Sequence, residues 1–390
     1  MYPNLYYLFK DLFGVEWTGL KLVNSFGFFV AIAFIICAWV LTLELRRKQQ
    51  QGLFVPTEET ITIGAPASVG ELLLNFIIGF VFGYKIIGAF TINDALNDPQ
   101  SFILSSKGNL PVGLLVGLLF AGLKWWEKNK QKLDKPEKRT IRIWPQDRVG
   151  DIVIYAALFG FIGAKIFHNL ENWNDFAADP IGSLVSFSGL TYYGGLICAG
   201  VAILLYAKRK KIRIVHLLDA MATTMMLAYA LGRVGCQVAG DGDWGIPNLK
   251  PKPFGWLPDW MWAYKYPHNV VNEDRDNLIA NCTGQYCNEL KLPVYPTPFY
   301  EIVICLALFF ILWSIRKRIK VPGQLFGLYL VFNGVERFFI EKIRVNTKYD
   351  FLPFHPTQAE LISFLLVLAG VLFLVKSEKW FGKGEKTEFS

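Results

Sequence analysis

The sequence predicts a polytopic bundle of membrane-crossing α-helices broken by one polar insertion. Three observations predict it. The chain of 390 residues is 53% hydrophobic, with a mean hydropathy of +0.32. It contains about nine apolar runs near the roughly 20 residues that span a bilayer, and basic clusters follow every second run. A soluble domain of this length has no core large enough to hide so many uninterrupted apolar runs.

In order, the runs cover approximately 25–43, 70–91, 111–126, 149–168, 188–207, 214–234, 297–315, 323–341 and 357–375. The first, Phe26–Leu43, lacks the charged n-region and the small-residue cleavage site of a signal peptide, so it is read as a retained span. The basic clusters are Arg46-Arg47-Lys48, Lys128 to Arg142, Lys208 to Arg213, Arg316 to Lys320 and Lys376 to Lys386. This is the positive-inside pattern. It predicts a multi-pass membrane protein with the N-terminus outside and the C-terminus cytoplasmic. The net charge of +8 is spent on topology, and a nucleic-acid partner is not expected.

Residues 236–296 are polar and rich in Pro, Gly, Trp and Tyr, and predict a compact outer segment with its aromatics at the interface. Cys282 and Cys287 lie in it, where an oxidised pair would fit an outer compartment. A zinc site joining them with His268 lacks the ligand count and spacing, and no metal is expected. Cys37, Cys198 and Cys305 sit within spans as small hydrophobes.

The chain also repeats itself. Thr60-Ile61-Thr62-Ile63 followed by Val69-Gly70-Glu71 returns as Thr140-Ile141-Arg142-Ile143 followed by Val149-Gly150-Asp151. Gly83-Tyr84-Lys85-Ile86 returns as Gly163-Ala164-Lys165-Ile166. A strand-like cytoplasmic segment plus two spans is therefore predicted to be duplicated, with parallel copies. The chain divides into a first span and linker (1–59), a duplicated two-span unit (60–139), a membrane core (140–235), the outer insertion (236–296) and a C-terminal membrane core with its tail (297–390).

Three constellations carry chemistry. The stretch Gly232-Arg233-Val234-Gly235-Cys236, running on to Asp241 and Asp243-Trp244-Gly245, places an arginine where an apolar run opens into a glycine-rich acidic segment. A charge at mid-bilayer costs at least roughly 2.5–3.5 kcal/mol, so such a residue marks a polar site. The glycines permit close backbone approach, and a guanidinium grips a phosphate headgroup in bidentate fashion.

Asn333, Arg337, Glu341 and Arg344 share one helix face at i, i+4, i+8 and i+11. Glu341 is expected to hold Arg337 or Arg344, leaving positive charge for an anion. The block Ser188-Gly189-Leu190-Thr191-Tyr192-Tyr193-Gly194-Gly195-Leu196 offers hydroxyls to an oxyanion, and its paired glycines suit either ligand approach or tight helix packing. Tyr300-Glu301 adds a carboxylate just inside a span. Asp219 precedes Arg233 by about 21 Å along the helix and is assigned to structure.

The Gly-Arg-Val-Gly-Cys signature ending in Asp-Trp-Gly resembles that of the prolipoprotein diacylglyceryl transferase family. The Tyr-Gly-Gly-Leu block, Tyr300-Glu301 and the Arg337/Glu341/Arg344 helix follow in the family's order, and the resemblance covers the first span and roughly 140–376. It implies about seven family spans plus the extra pair. It further implies transfer of diacylglyceryl from phosphatidylglycerol to the lipobox cysteine thiol of prolipoproteins, with glycerol phosphate released in the first step of lipoprotein maturation. By carry-over, Arg233 binds the phospholipid headgroup and Arg337 is essential.

The chain departs from the family where Tyr193 replaces a frequent histidine, Phe26 and Asn333 replace tyrosines, and Cys236-Gln237 replace Asn-Phe. The substrate partners so implied are phosphatidylglycerol, prolipoprotein signal peptides and the lipid bilayer.

The chemistry fits the residue types. A thiol of pKa about 8.5 must lose its proton to attack, and the departing phosphate needs fixed donors. The catalytic set expected is Arg337, Glu341, Tyr193 and Glu301, with Glu341 or Glu301 as proton acceptor. The substrate-binding set is Arg233, Gly235, Arg344, Gly194, Gly195, Asp241 and Gly245. No cofactor is expected. The rival reading is a transporter or lipid flippase built on the parallel repeat.

Overall fold

The computed structural model describes residues 1–382 apart from 93–94, 187–188, 190, 272–273, 275, 283–284 and 347–354. Helices and one small ribbon make up the architecture. In order these are α1 Leu5–Phe13, α2 Ser25–Gln50, β1 Thr57–Ile63, α3 Val69–Val81, α4 Pro99–Leu104, α5 Leu110–Lys130, β2 Glu137–Ile143, α6 Val149–Glu171, α7 Trp173–Ala178, α8 Pro180–Val185, α9 Tyr192–Arg209, α10 Ile214–Ala239, α11 Thr297–Ile315, α12 Gln324–Glu341 and α13 Gln358–Phe381. The helix α3 continues through a π-helical stretch, Phe82–Ile87. The protein is a polytopic helical membrane protein.

Each of the nine expected spans corresponds to a long helix, and seven of these are long and apolar enough to cross a membrane by length and composition. The other two, α9 and α12, are diluted by polar residues. The former ends in Lys208-Arg209, and the latter carries Glu336, Arg337 and Glu341. Several helices outrun the apolar runs that predict them, because good helix formers follow the last apolar residue. Thus α2 continues through Glu44, Arg46 and Lys48 to Gln50.

Helix α10 is the centre of the bundle. Its most apolar stretch is 56% buried, against 17–28% for the other six membrane-length helices. It packs on α2, α11 and α12, while α12 packs on α13 and α6 on α9. Small residues let these backbones close up: a Cβ on Gly370 of α13 would lie 2.6 Å from the Gly327 carbonyl of α12.

The end of the bundle bearing the ribbon is tied by ionic groups. Asp219 of α10 accepts from the backbone N–H groups of Gly323 (3.0 Å) and Phe326 (3.1 Å) at the start of α12, and pairs with Lys48 of α2 at 3.5 Å. A carboxylate on the free N–H groups of a helix start is a structural cap, as the sequence predicts for this residue.

Strands β1 and β2 pair antiparallel with Thr60 opposite Thr140, and the other equivalent positions of the sequence repeat are disposed symmetrically on either side of that pair. The likeness extends further than the sequence match. After each strand comes a long helix and, further on, a short Pro-started helix capped by aspartate, with α7 intervening in the second copy. Asp98 accepts from Ser101 N–H at 3.2 Å and Asp179 from Gly182 N–H at 2.9 Å. Lys85 donates to the carbonyl of Phe102 at 3.1 Å and Lys165 to that of Ser186 at 2.9 Å, both beside the short helix that follows. In the insertion, Cys282 and Cys287 are joined as a disulfide, so these two do not serve as metal ligands.

Candidate active site

The site forms where α10, α11 and the end of α12 meet the start of the insertion. The sequence places the end of the α10 run at residue 234 with a glycine loop following. The helix instead continues to Ala239 and stops at Gly240, whose φ of 66° is left-handed. Arg233 and Gly235 are therefore helical. A Cβ on Gly235 would meet Phe26 of α2 at 3.1 Å, which makes this glycine a packing residue for the first span.

Beyond Gly240 the chain turns back over the helix ends. Gly245 N–H donates to the Tyr295 carbonyl and Ile246 N–H to that of Ile343, both at 2.8 Å. Thr297 Oγ1 donates to the Asp243 carbonyl at 2.6 Å. A Cβ at Gly245 would stand 2.4 Å from the Ile343 carbonyl oxygen, so only glycine lets these two segments touch. The Asp243 carboxylate is thereby fixed between two arginines.

Three arginines from different positions converge on Glu301, which is fully buried. Arg233 Nε lies 3.0 Å from Glu301 Oε2, Arg337 Nη1 donates to Oε1 at 3.2 Å, and Arg344 Nη1 stands 3.7 Å from Oε2. Tyr229 donates its hydroxyl to Oε1 at 2.7 Å and lies under the Arg233 guanidinium, 5.3 Å from ring centroid to carbon. Asp243 bridges the insertion side, accepting from Arg233 Nη1 and from Arg344 Nη2, the latter at 2.6 Å. Glu341 pairs with Arg337 at 3.0 Å.

This corrects the expectation of spare positive charge on the α12 face. Glu341 holds Arg337, whereas Arg344 turns to Asp243 and Glu301, and each arginine meets two carboxylates. Three carboxylates thus balance three guanidinium groups. Burial raises the cost of the Asp243 charge, but Arg233 and Arg344 outweigh it and bring this carboxyl down to about 2. Asp241 moves the opposite way, pushed up by burial and by the neighbouring Asp243. Cys236, Asp241 and Asp243 lie close together, yet Asp243 is already committed to two guanidinium groups.

The remaining expected residues are placed as follows. Tyr193, at the start of α9, lies within electrostatic reach of Arg337, Glu341 and Arg344. Gly194 and Gly195 close the α9–α6 seam: a Cβ on Gly194 would stand 2.4 Å from Phe167 and one on Gly195 would stand 2.9 Å from the Gly160 carbonyl. Of the two readings open for this pair, the geometry gives them to helix packing. Ser188 and Leu190 of the same block lie outside the described residues. Tyr300 turns away from the arginines and donates to the Met261 carbonyl at 3.0 Å.

Three further residues stand at or beside the cluster. Asp243 was visible as a member of the signature, but its fold-back onto Arg344 was not. Tyr229 precedes Arg233 by one turn and shares its face, a spacing that could have found it. Glu336 is 5% exposed, and neither carboxylate oxygen has a hydrogen-bond partner among the described residues.

A sequence model of the family described as prolipoprotein diacylglyceryl transferase matches residues 110–376. The phosphatidylglycerol–prolipoprotein diacylglyceryl transferase of Staphylococcus aureus strain MRSA252 is 31% identical over 232 residues, covering 59% of this chain and 74% of that protein. The protein of the same name from strain Newman is 30% identical over 231 residues, with the same coverage. The family match spans Arg233, Asp243, Glu301, Arg337, Glu341 and Arg344 alike and takes in most of the chain, which therefore belongs to the prolipoprotein diacylglyceryl transferase family.

Proposed function

We propose that this transferase moves the diacylglyceryl group of phosphatidylglycerol onto the lipobox cysteine thiol of a prolipoprotein, at a signal peptide lying in the membrane, and releases glycerol phosphate. The enzyme is a multi-pass protein of the bacterial inner membrane. The observation that carries the reading is the convergence of Arg233, Arg337 and Arg344 on one buried carboxylate, Glu301. Guanidinium groups held by displaceable carboxylates in a bundle interior form a site for one more anion.

In this reading Arg233 and Arg344 grip the phospholipid phosphate from the Asp243 side, and Arg337 faces the charge that develops on the leaving group. The thiol sulfur attacks the glyceryl carbon, a carbon–sulfur bond forms, and the carbon–oxygen bond to phosphate breaks with its electron pair. The thiol proton passes to Glu341 or Glu301. Protonating either carboxylate weakens its hold on Arg337 as the phosphate gains charge, so proton uptake and donor release are coupled. Tyr193 donates a hydrogen bond to the same phosphate. Asp241 and Gly245 shape the loop over the site, and Gly235, Gly194 and Gly195 set the helix spacing around it. The scheme uses neither metal nor cofactor.

The insertion is assigned to the outer face, with the N-terminus outside and the C-terminus cytoplasmic. The disulfide in the insertion supports this, since such bonds persist in oxidising compartments. The unit 60–139 is taken as a duplicate of the pair that follows β2, while 140–235 and 297–390 form the catalytic core around the insertion 236–296.

The test mixes purified protein with phosphatidylglycerol carrying a labelled headgroup and a lipobox peptide. Thioether-linked diacylglyceryl peptide and labelled glycerol phosphate should appear in equal amounts, and Arg233→Ala should abolish both while remaining folded. Absence of both products from folded wild-type protein would overturn the proposal.

A further inference from the structure

The insertion contains a loop that the site does not use. Residues 248–262 carry Pro251, Pro253 and Pro258, which deny them a regular ladder of backbone hydrogen bonds. The neck is pinned by Asn248 Nδ2 donating to the Trp262 carbonyl at 2.7 Å and Trp262 Nε1 donating to the Lys250 carbonyl at 3.0 Å. Beyond the neck, large apolar side chains point outward: Leu249 is 73% exposed, Phe254 58%, Trp256 77% and Trp260 40%. Phe254 and Trp256 stack on each other at 5.7 Å. A fixed tip of exposed, mutually stacked aromatics is a surface made for a partner.

Its neighbours name the partner. The loop rests on the first turn of α11, through the 3.0 Å bond from Tyr300 to the Met261 carbonyl and the edge-on contact of Trp260 with Phe299 at 5.0 Å. Helix α11 has membrane-spanning length and apolarity and exposes Val303, Ile304, Phe310 and Ile311. The apolar tip is therefore continuous with a bilayer-facing surface at its rim, the level where tryptophans settle. Charge agrees. Lys252 pairs with Asp259 at 2.8 Å, whereas Lys250 is exposed and has no carboxylate partner among the described residues.

We propose that residues 249–261 form a lip that inserts into the bilayer leaflet on the insertion side, seating its aromatics at headgroup depth and Lys250 against anionic headgroups. The lip is held by Tyr300, and the next residue, Glu301, gathers the site arginines. Resting on the proposed function, the lip thus holds anionic lipid at the rim through which it reaches the site.

Gly255 is the place for a probe, because a Cβ there meets nothing within 4 Å. Gly255→Cys in a Cys198→Ser background would carry an environment-sensitive dye, with the protein in nanodiscs of phosphatidylglycerol and phosphatidylcholine. The lip predicts quenching by spin label placed shallow in the lipid and several-fold protection from iodide. Adding Phe254→Ser and Trp256→Ser should abolish both effects. Full iodide access would overturn the proposal, as would protection from both quenchers, which marks a protein contact. Equal lipid quenching with and without phosphatidylglycerol would overturn the headgroup half.

In transfer assays the same double substitution should raise KM about tenfold for lipid in bilayers, with kcat unchanged and short-chain dispersed lipid used normally. The fluorescence result does not depend on turnover. Failure of the lip and failure of the transferase reading are therefore separable.

Discussion

Helix α10 carries a largely sheltered ion toward each end, Asp219 buried and Arg233 partly so, and the two ends solve the same problem differently. At the ribbon end, Asp219 is satisfied by two backbone amides and Lys48. Nearby, Glu44 is held by Arg47 and Arg316. At the other end, Arg233 belongs to a mesh in which Asp243 and Glu301 are shared among three guanidinium groups, while Arg344 keeps Nε and Nη1 without a hydrogen bond among the described residues. Burial alone does not mark function. A cluster whose carboxylates and cations are matched holds helices together, whereas one that leaves guanidinium N–H groups without a hydrogen bond keeps donors in reserve for an incoming anion.

The sharpest way to break this contrast is to delete one ion from each end. Arg233→Ala should lower transfer by about 10³-fold, the scale of losing a donor to a developing oxyanion, with the unfolding midpoint in detergent nearly unchanged. Arg233→Lys should not restore it, because one ammonium cannot bridge Asp243 and Glu301 as the fork of a guanidinium does. Asp219→Ala should do the reverse. Stranding Lys48 and the α12 amides should cost about 3–5 kcal/mol, read as a fall in unfolding midpoint and yield, while turnover per folded molecule stays close to wild type. Equal loss of turnover in the two variants would erase the distinction.

A smaller effect sharpens it. Gly245→Ala drives a methyl against the Ile343 carbonyl and should cost roughly 1–3 kcal/mol through overpacking, with transfer reduced because Asp243 shifts. The control is Gly232→Ala, where a Cβ meets nothing within 4 Å. That change should stabilise α10 by about 0.5–1 kcal/mol, which thermal melts of the two variants side by side would show.

The smallest expected effect is one of pH. The Asp243 carboxyl is depressed in the folded protein to about 2, from an unfolded value near 3.9. Its contribution is fully present above about pH 5 and is lost as pH falls from about 4 through 2. Protease sensitivity of the 240–247 segment should therefore be flat from pH 9 to 5 and rise only below 4. A rise between pH 8 and 6 would show that Asp243 is not held by its arginines.

Much of this was legible in the sequence because periodicity and charge report directly on bilayer burial. A long helix stands at each of the nine expected runs, seven of them of membrane-crossing length and apolarity. Arg337 and Glu341 pair along α12 as their spacing predicts, whereas the helix ends at Glu341 and Arg344 lies beyond it rather than on the same helix face. The strand-like segments around Thr60 and Thr140 announced the ribbon. The end of α10 lies beyond the expected one, because Gly232 and Gly235 look like loop residues, and only the packed structure shows Phe26 filling the space that a side chain on Gly235 would occupy. Charge pairing was harder still. Counting charges along α12 alone left its arginines in excess, since nothing local reveals that Asp243 and Glu301, distant in sequence, come to meet them. Glu336 was passed over for a related reason: it lies on a different face from the chosen spacing, and its lack of a hydrogen-bond partner is a tertiary fact.

The antiparallel ribbon has a consequence for the way the chain is threaded. It clasps together the two ends of a segment that leaves the ribbon through α3 and returns through α5, an even number of crossings. Parity is therefore preserved: every helix after β2 enters the membrane in the direction it would have had without the excursion. The pair α3 and α5 leaves the direction of the downstream helices unchanged, and the clasp brings the strand that precedes α6 back to within reach of the end of α2.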